Sequence, residues 1–147
     1  MINFKLEQNR LNHLKTQYKI VTINQDTFIH TYSLVFDAIR YFNEEIEWDG
    51  MFDFVDAQRR IANGETMYIG MNNCDVFGYV WFKDYNEERE LYNLFVRNDV
   101  IDKNYTGKEF VSDVIYRYEY SKSIYCEVNE WNEKSLKLFK KLGFEQL

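Results

Sequence analysis

The chain has 147 residues, 46% of them apolar and 18% aromatic, enough bulk to fill one sizeable core without disulfides. Its 24 acidic against 18 basic residues give a net charge of −6, and the basic residues are scattered, which argues against a nucleic-acid partner. Residues 1–17 are polar, and no run of ~18 apolar residues occurs, so a soluble, cytoplasmic protein with no membrane partner is expected.

Cys74 and Cys126 lie far apart, with no Cys-x-x-Cys or Cys/His cluster, and are expected to be reduced thiols with no metal role. No repeat, low-complexity tract or linker divides residues 1–147, which read as one domain. Residues 18–23 alternate apolar and polar side chains, the mark of a strand. Phe28, Tyr32, Val35, Phe36, Ile39 and Phe42 recur at helical spacing and predict a first helix that buries this stripe. Residues 49–63 predict a second helix with Phe52, Val55 and Ala62 facing inward, closed by Gly64.

Strands are predicted over residues 67–71, 76–82 and 91–96, the first two joined as a hairpin by Asn72-Asn73-Cys74-Asp75, since Asn and Asp tolerate positive φ. Phe110, Val111, Val114, Ile115 and Tyr118 mark a third helix, residues 124–128 a strand, and residues 132–142 a last helix ended by Gly143. Residues 144–147 predict a short final strand. This order predicts an α/β (α+β) fold, a mixed and mostly antiparallel sheet with helices on both faces.

After a strand ending in Val128, the spaced residues Asn132, Ser135, Phe139, Gly143 and Phe144 resemble the signature of the GNAT superfamily of N-acetyltransferases. The element order is similar to that family's over residues 18–147. Glu90-Leu91-Tyr92-Asn93-Leu94-Phe95-Val96 resembles its central strand, which runs from an acidic residue to a Val. The resemblance implies acetyl-CoA as cofactor, its pantetheine arm paired with the backbone of Leu94, Phe95 and Val96 in a gap beside residues 124–128. It implies a phosphate-cradling loop at a helix amino terminus, here Lys103, Asn104, Tyr105, Thr106, Gly107, Lys108 and Glu109. Thr106, Glu109 and Val111 occupy the motif places in one register, Asn104, Gly107 and Glu109 in another. All three departures in the first register, and the carboxylate of Glu109 in both, differ from the family pattern.

By the same resemblance Asn132 helps hold the cofactor arm, a role that adds to its suitability as a helix cap. Phe139 stands where the family's usual acid, a Tyr, is found, and has no proton to donate. Tyr92, Tyr105 and Tyr125 are candidate substitutes that spacing does not separate. Glu90 matches the position of the general base, which takes a proton from the acceptor amine. The acceptor pocket falls near the link between the first two helices, where Glu45, Glu47 and Trp48 offer carboxylates and an aromatic face to a cation. His13 and His30 occupy no motif place. The implied activity is acetyl transfer to a primary amine of a small molecule or a basic peptide. The alternative, which the altered phosphate loop and Phe139 favour, is a catalytically degenerate GNAT-fold binding or regulatory module.

Overall fold

A computed structural model describes residues 1–3, 18–45, 53–85, 87–97, 105, 107–116, 123–128 and 130–146. Five strands, β1 (Tyr18–Ile23), β2 (Thr66–Asn72), β3 (Asp75–Asp84), β4 (Glu88–Val96) and β5 (Ser123–Tyr125), form one sheet in the order β1-β2-β3-β4-β5. The first four make an antiparallel meander, and β5 joins β4 in parallel. Asn72 pairs with Asp75 across a two-residue turn in which Asn73 takes φ 55°, as its side chain allows.

The helices are α1 (Phe28–Glu45), α2 (Phe54–Ala62), α3 (Gly107–Val114) and α4 (Glu133–Lys141). Helix α2 begins at a capping box: Asp53 accepts from the Asp56 backbone N–H at 2.9 Å, and Asp56 accepts from that of Asp53 at 3.2 Å. Gly64 ends it at φ 95°. Helix α4 is capped by Asn132, and Gly143 closes it at φ 92°. No described helix is long and apolar enough to cross a membrane.

The sheet separates two cores. Val35, Ala38 and Ile39 of α1 and Ala57 and Ile61 of α2 pack with Met67, Ile69, Tyr79 and Trp81 on one face. On the other, Phe110, Val111 and Val114 of α3 and Phe139 of α4 pack with Phe77, Val80, Phe82 and Leu91. The inward faces of the first two helices differ from expectation: Tyr32, Phe36, Val55 and Ala62 are exposed, while Ala38, Ala57 and Ile61 are buried. The helices meet the sheet through Val35, Ala38, Ile39, Ala57 and Ile61, which leaves the edges of the apolar stripes outside. Phe42 lies outside the described side chains, and Phe52 and Tyr118 outside the described residues.

Two further expectations are corrected. Residues 144–146 form no strand, because the Phe144 N–H bonds to the Phe139 carbonyl at 3.0 Å and its ring packs edge-on against Phe139 at 5.2 Å. The helix closure turns Phe144 back onto α4 instead of into the sheet. The strand expected over residues 124–128 stops at Tyr125, where β4 and β5 part.

Candidate active site

Register explains where the sheet opens. Trp81 pairs with Asn93 and Phe82 with Leu91, so Tyr92 is an extra residue, a bulge, in β4. The bulge is anchored from the α2 side. The Tyr92 hydroxyl donates to the carboxylate of Glu65 and accepts from Arg60 Nη1 at 3.2 Å, and the Arg60 guanidinium lies 5.3 Å from the Tyr92 ring centre. Glu65 is buried and ion-paired with Arg60 at 3.7 Å. Burial first, then the hydrogen bond and the charge of Glu65, hold the Tyr92 phenol well above its ordinary pKa.

Strand β5 follows β4 for only three register pairs, Glu88 with Ser123, Arg89 with Ile124 and Glu90 with Tyr125. Beyond Glu90, β4 continues to Val96 with no partner strand on that side among the described residues. The parting edges enclose a cavity of about 150 Å³, lined by Leu91, Tyr92 and Leu94 from β4, Cys126, Glu127 and Val128 after β5, and Asn132, Ser135 and Phe139 of the α4 region. The Asn132 side chain accepts from the Ser135 backbone N–H at 3.2 Å, so the cap itself forms part of the wall. Burial pushes the Cys126 thiol up to about 11, which keeps it protonated at neutral pH and a poor nucleophile.

Glu90 sits at the apex, in the last register pair and two residues inside β4. Its Oε2 accepts from the Tyr125 hydroxyl at 3.0 Å and from the Tyr85 hydroxyl at 3.4 Å. The two rings lie 6.2 Å apart between centroids. Burial, then the hydrogen bond to Glu90, raises the Tyr125 phenol above its ordinary pKa and keeps it a donor. Arg89 does not pair with its neighbour Glu90: its guanidinium bonds Asp84 at 3.1 Å, with its centre 5.5 Å from the Phe82 ring centre.

Of the residues expected to touch a cofactor, Leu94, Asn132 and Phe139 meet around this cavity. Phe95 packs on the α1/α2 face near Tyr79, and Val96 on the α3/α4 face. Gly107 opens α3 beside Val96; a Cβ there would meet Val96 Cγ2 at 3.6 Å. Lys108 is exposed and Glu109 half-buried in the first turn of α3. Lys103, Asn104 and Thr106 lie outside the described residues. Phe110 and Val111 are fully buried under the sheet, and neither lines the cavity.

A second cavity of about 460 Å³ opens between α1 and α2, lined by Phe36, Ile39, Arg40, Asn43, Asp53, Phe54 and Val55. Of the expected acceptor residues, Glu45 ends α1 with its side chain outside the description, and Glu47 and Trp48 fall outside the described residues. Among the other tyrosines weighed, Tyr105 is stacked on Tyr18 at 4.2 Å and donates to Asp113 at 2.9 Å, a packing role. Tyr85 was not foreseen; a tyrosine beside the β3–β4 turn looks like any surface residue until the fold brings Tyr125 to the same carboxylate. His30 is exposed on α1, and His13 lies outside the described residues. No group of three or more His, Cys, Asp or Glu among the described residues is arranged for a metal.

No protein-family model matches the sequence, and no curated protein matches it. Solved structures do. An aminoglycoside acetyltransferase from an uncultured soil metagenomic sample, in complex with sisomicin, superposes with a TM-score of 0.68 at 15% identity, covering 91% of this chain and 94% of that one. Aminoglycoside N-acetyltransferase AAC(6')-Iy in complex with CoA gives 0.60 at 19% identity, with 88% of each chain covered. A GNAT-family acetyltransferase from Bacillus cereus gives 0.63 at 15% identity, covering 88% of this chain and 84% of that one. With the meander, the short parallel β5 and the opening beside β4, these likenesses establish that the chain has the fold of the GNAT-family acetyltransferases.

Proposed function

We propose that the protein is an N-acetyltransferase that moves the acetyl group of acetyl-CoA to a primary amine of a small molecule or a basic peptide. The observation that carries this reading is the parting of β4 and β5 at Glu90, around a cavity walled by Leu94, Asn132 and Phe139. The residues fit the cofactor: the β4 edge beyond Glu90 lacks a partner strand among the described residues, so its backbone suits an extended arm laid alongside. The amino terminus of α3 lies beside Val96, where its dipole favours a diphosphate. Bound there, acetyl-CoA supplies an activated acyl carbonyl.

The chain's own residues do the rest. An alkylammonium has a pKa of ~10 and carries no nucleophilic lone pair at neutral pH, so a base must take its proton. Glu90 is that base, directly or through water. Leu91, Leu94, Val128 and Phe139 supply the apolar part of a wall that also carries Glu127, Asn132 and Ser135. Phe139 cannot protonate a leaving thiolate; a thiolate tolerates this, because general-acid help is typically worth only ~10²–10⁴-fold. By the same resemblance the acceptor is assigned to the link between α1 and α2, the stretch of sequence that carries Glu45, Glu47 and Trp48. The neighbour that holds sisomicin, a polycationic amine, supports a small cationic acceptor.

Glu109, a carboxylate in the first turn of α3, favours the second reading, a binding module that has lost the cofactor. Against it, Phe110 and Val111 do not fill the cavity. Calorimetry with acetyl-CoA separates the two. Saturable heat and a thermal shift are expected, and neither at millimolar cofactor abandons the enzyme. Turnover is then tried with sisomicin and spermidine, where Glu90→Gln should slow transfer and flatten its rise with pH while leaving cofactor affinity within about twofold.

A further inference from the structure

Tyr125 and Tyr85 both bond one oxygen of Glu90, and we propose that Tyr125 is the positioning residue for the base, holding Oε2 so that Oε1 takes the proton. The inference rests on the acetyltransferase reading. Among the described residues, Oε2 has two phenol donors and Oε1 has no hydrogen-bond or ion-pair partner. A carboxylate on a flexible side chain samples many rotamers, and one oxygen pinned from the neighbouring strand removes most of that freedom. The donor comes from β5, the strand opposite Glu90 in the last register pair before the sheet opens. The element that ends the ladder therefore also holds the base at the point where the two strands part.

The surroundings leave this role to the phenols. Lys83 is the cross-strand partner of Glu90 on β3, yet its ammonium lies 5.6 Å from the Tyr85 ring centre, and no ion pair joins it to Glu90. Arg89 is engaged with Asp84. A cation on Glu90 would compete with an ammonium substrate for the carboxylate, whereas a neutral phenol orients it and leaves its charge. In the chemical step one N–H bond of the ammonium breaks and its proton passes to Oε1, the freed lone pair bonds the acyl carbon, the C–S bond breaks to release the thiolate, and the second proton lost from nitrogen as the amide forms passes to that thiolate through water. Tyr125 keeps its proton throughout.

Tyr125→Phe removes only the hydroxyl and retains the ring. Three-bond NMR couplings in the cofactor-free protein should show Glu90 in one dominant side-chain rotamer, and averaging over several in the variant. Acetyl transfer to sisomicin or spermidine should fall about tenfold in kcat with KM for acetyl-CoA unchanged, the loss expected of one hydrogen bond to a partly exposed charge. Tyr85→Phe, with the longer bond and an exposed ring, should lose about twofold or less. Equal melting temperatures confirm that the variants are folded. Unchanged Glu90 couplings in Tyr125→Phe overturn the proposal, as does full kcat in that variant while Glu90→Gln is slow. Full turnover in Glu90→Gln instead removes the base, and with it any role for Tyr125; the couplings then still change in Tyr125→Phe, so the two failures are told apart.

Discussion

Replacing Gly78 by Ala tests how tightly β3 holds the working edge of β4. A Cβ on Gly78 would lie 2.4 Å from the Phe95 carbonyl oxygen and 3.2 Å from Val96 Cα, both backbone atoms. Ordinary contact begins near 3.4 Å, so the strands must part by about 1 Å at this point. A flexible side chain would yield cheaply; a paired strand does not. Overpacking of this kind costs about 2–3 kcal/mol, which for a chain of this length lowers Tm by about 6–10 °C. The displaced segment includes Leu94, which lines the cavity, so the same shift should weaken coenzyme A binding and cut turnover by up to about 100-fold. Thermal unfolding and calorimetry read both effects. Gly107→Ala is the control, since its Cβ meets only Val96 Cγ2 at 3.6 Å and Ala suits a helix; its Tm should hold or rise slightly. A Gly78→Ala protein melting within about 1 °C of the parent would refute the claim that close backbone approach sets the edge.

Other consequences are open to measurement. Asn132→Ala removes the cap on Ser135 N–H and should cost about 1 kcal/mol in urea unfolding; a loss of coenzyme A affinity beyond what the drop in stability explains assigns the amide a second role at the cavity. Phe139→Tyr restores a phenol at the cavity wall and should raise kcat about tenfold or more with KM for acetyl-CoA unchanged, whereas an unaltered rate means leaving-group protonation is not limiting. Stability should decline at alkaline pH. Burial raises the Tyr79 phenol far above 10 in the folded chain, so above that pH the unfolded chain sheds a proton the native chain keeps, and stability falls by up to ~1.4 kcal/mol per pH unit. Tyr79→Phe should flatten this limb in urea midpoints taken from pH 9 to 12; an equally steep limb in the variant assigns the loss to other groups.

Local signals in the sequence carried far in this chain. Asn132 before a helical stripe and Gly143 after it announced α4 and both of its ends, because capping is decided within a few residues. The Asn73 turn was legible for the same reason. Features set by distant partners were not. The exposure of Tyr32, Phe36 and Val55 depends on which part of an apolar stripe meets the sheet, and spacing alone does not say. Residues 126–128 keep the alternation of a strand, and Ile124, Cys126 and Val128 do pack on one core, yet the ladder to β4 ends at Glu90 and Tyr125. Glu90 was reachable through a family resemblance. Its two phenols were not, because Tyr125 lies 35 residues on and nothing local marks the pairing.

The sheet is seamed unevenly, and its cooperativity should follow the seam. Strands β2 to β4 are joined by short turns and β1 reaches β2 across α1 and α2, so the four-stranded platform takes all of its pairing from residues that precede β5. The carboxyl-terminal part is stitched to that platform by three register pairs and by the packing of α3 and α4. Amide hydrogens in β2 and β3 should therefore exchange only through global unfolding, while those of β5 and the first turn of α4 exchange through a cheaper, separate opening. A ligand spanning the two sides would bind only the closed form and slow that opening in proportion to its occupancy. The apex carboxylate thus lies on the boundary between two cooperative units, where binding changes local stability most.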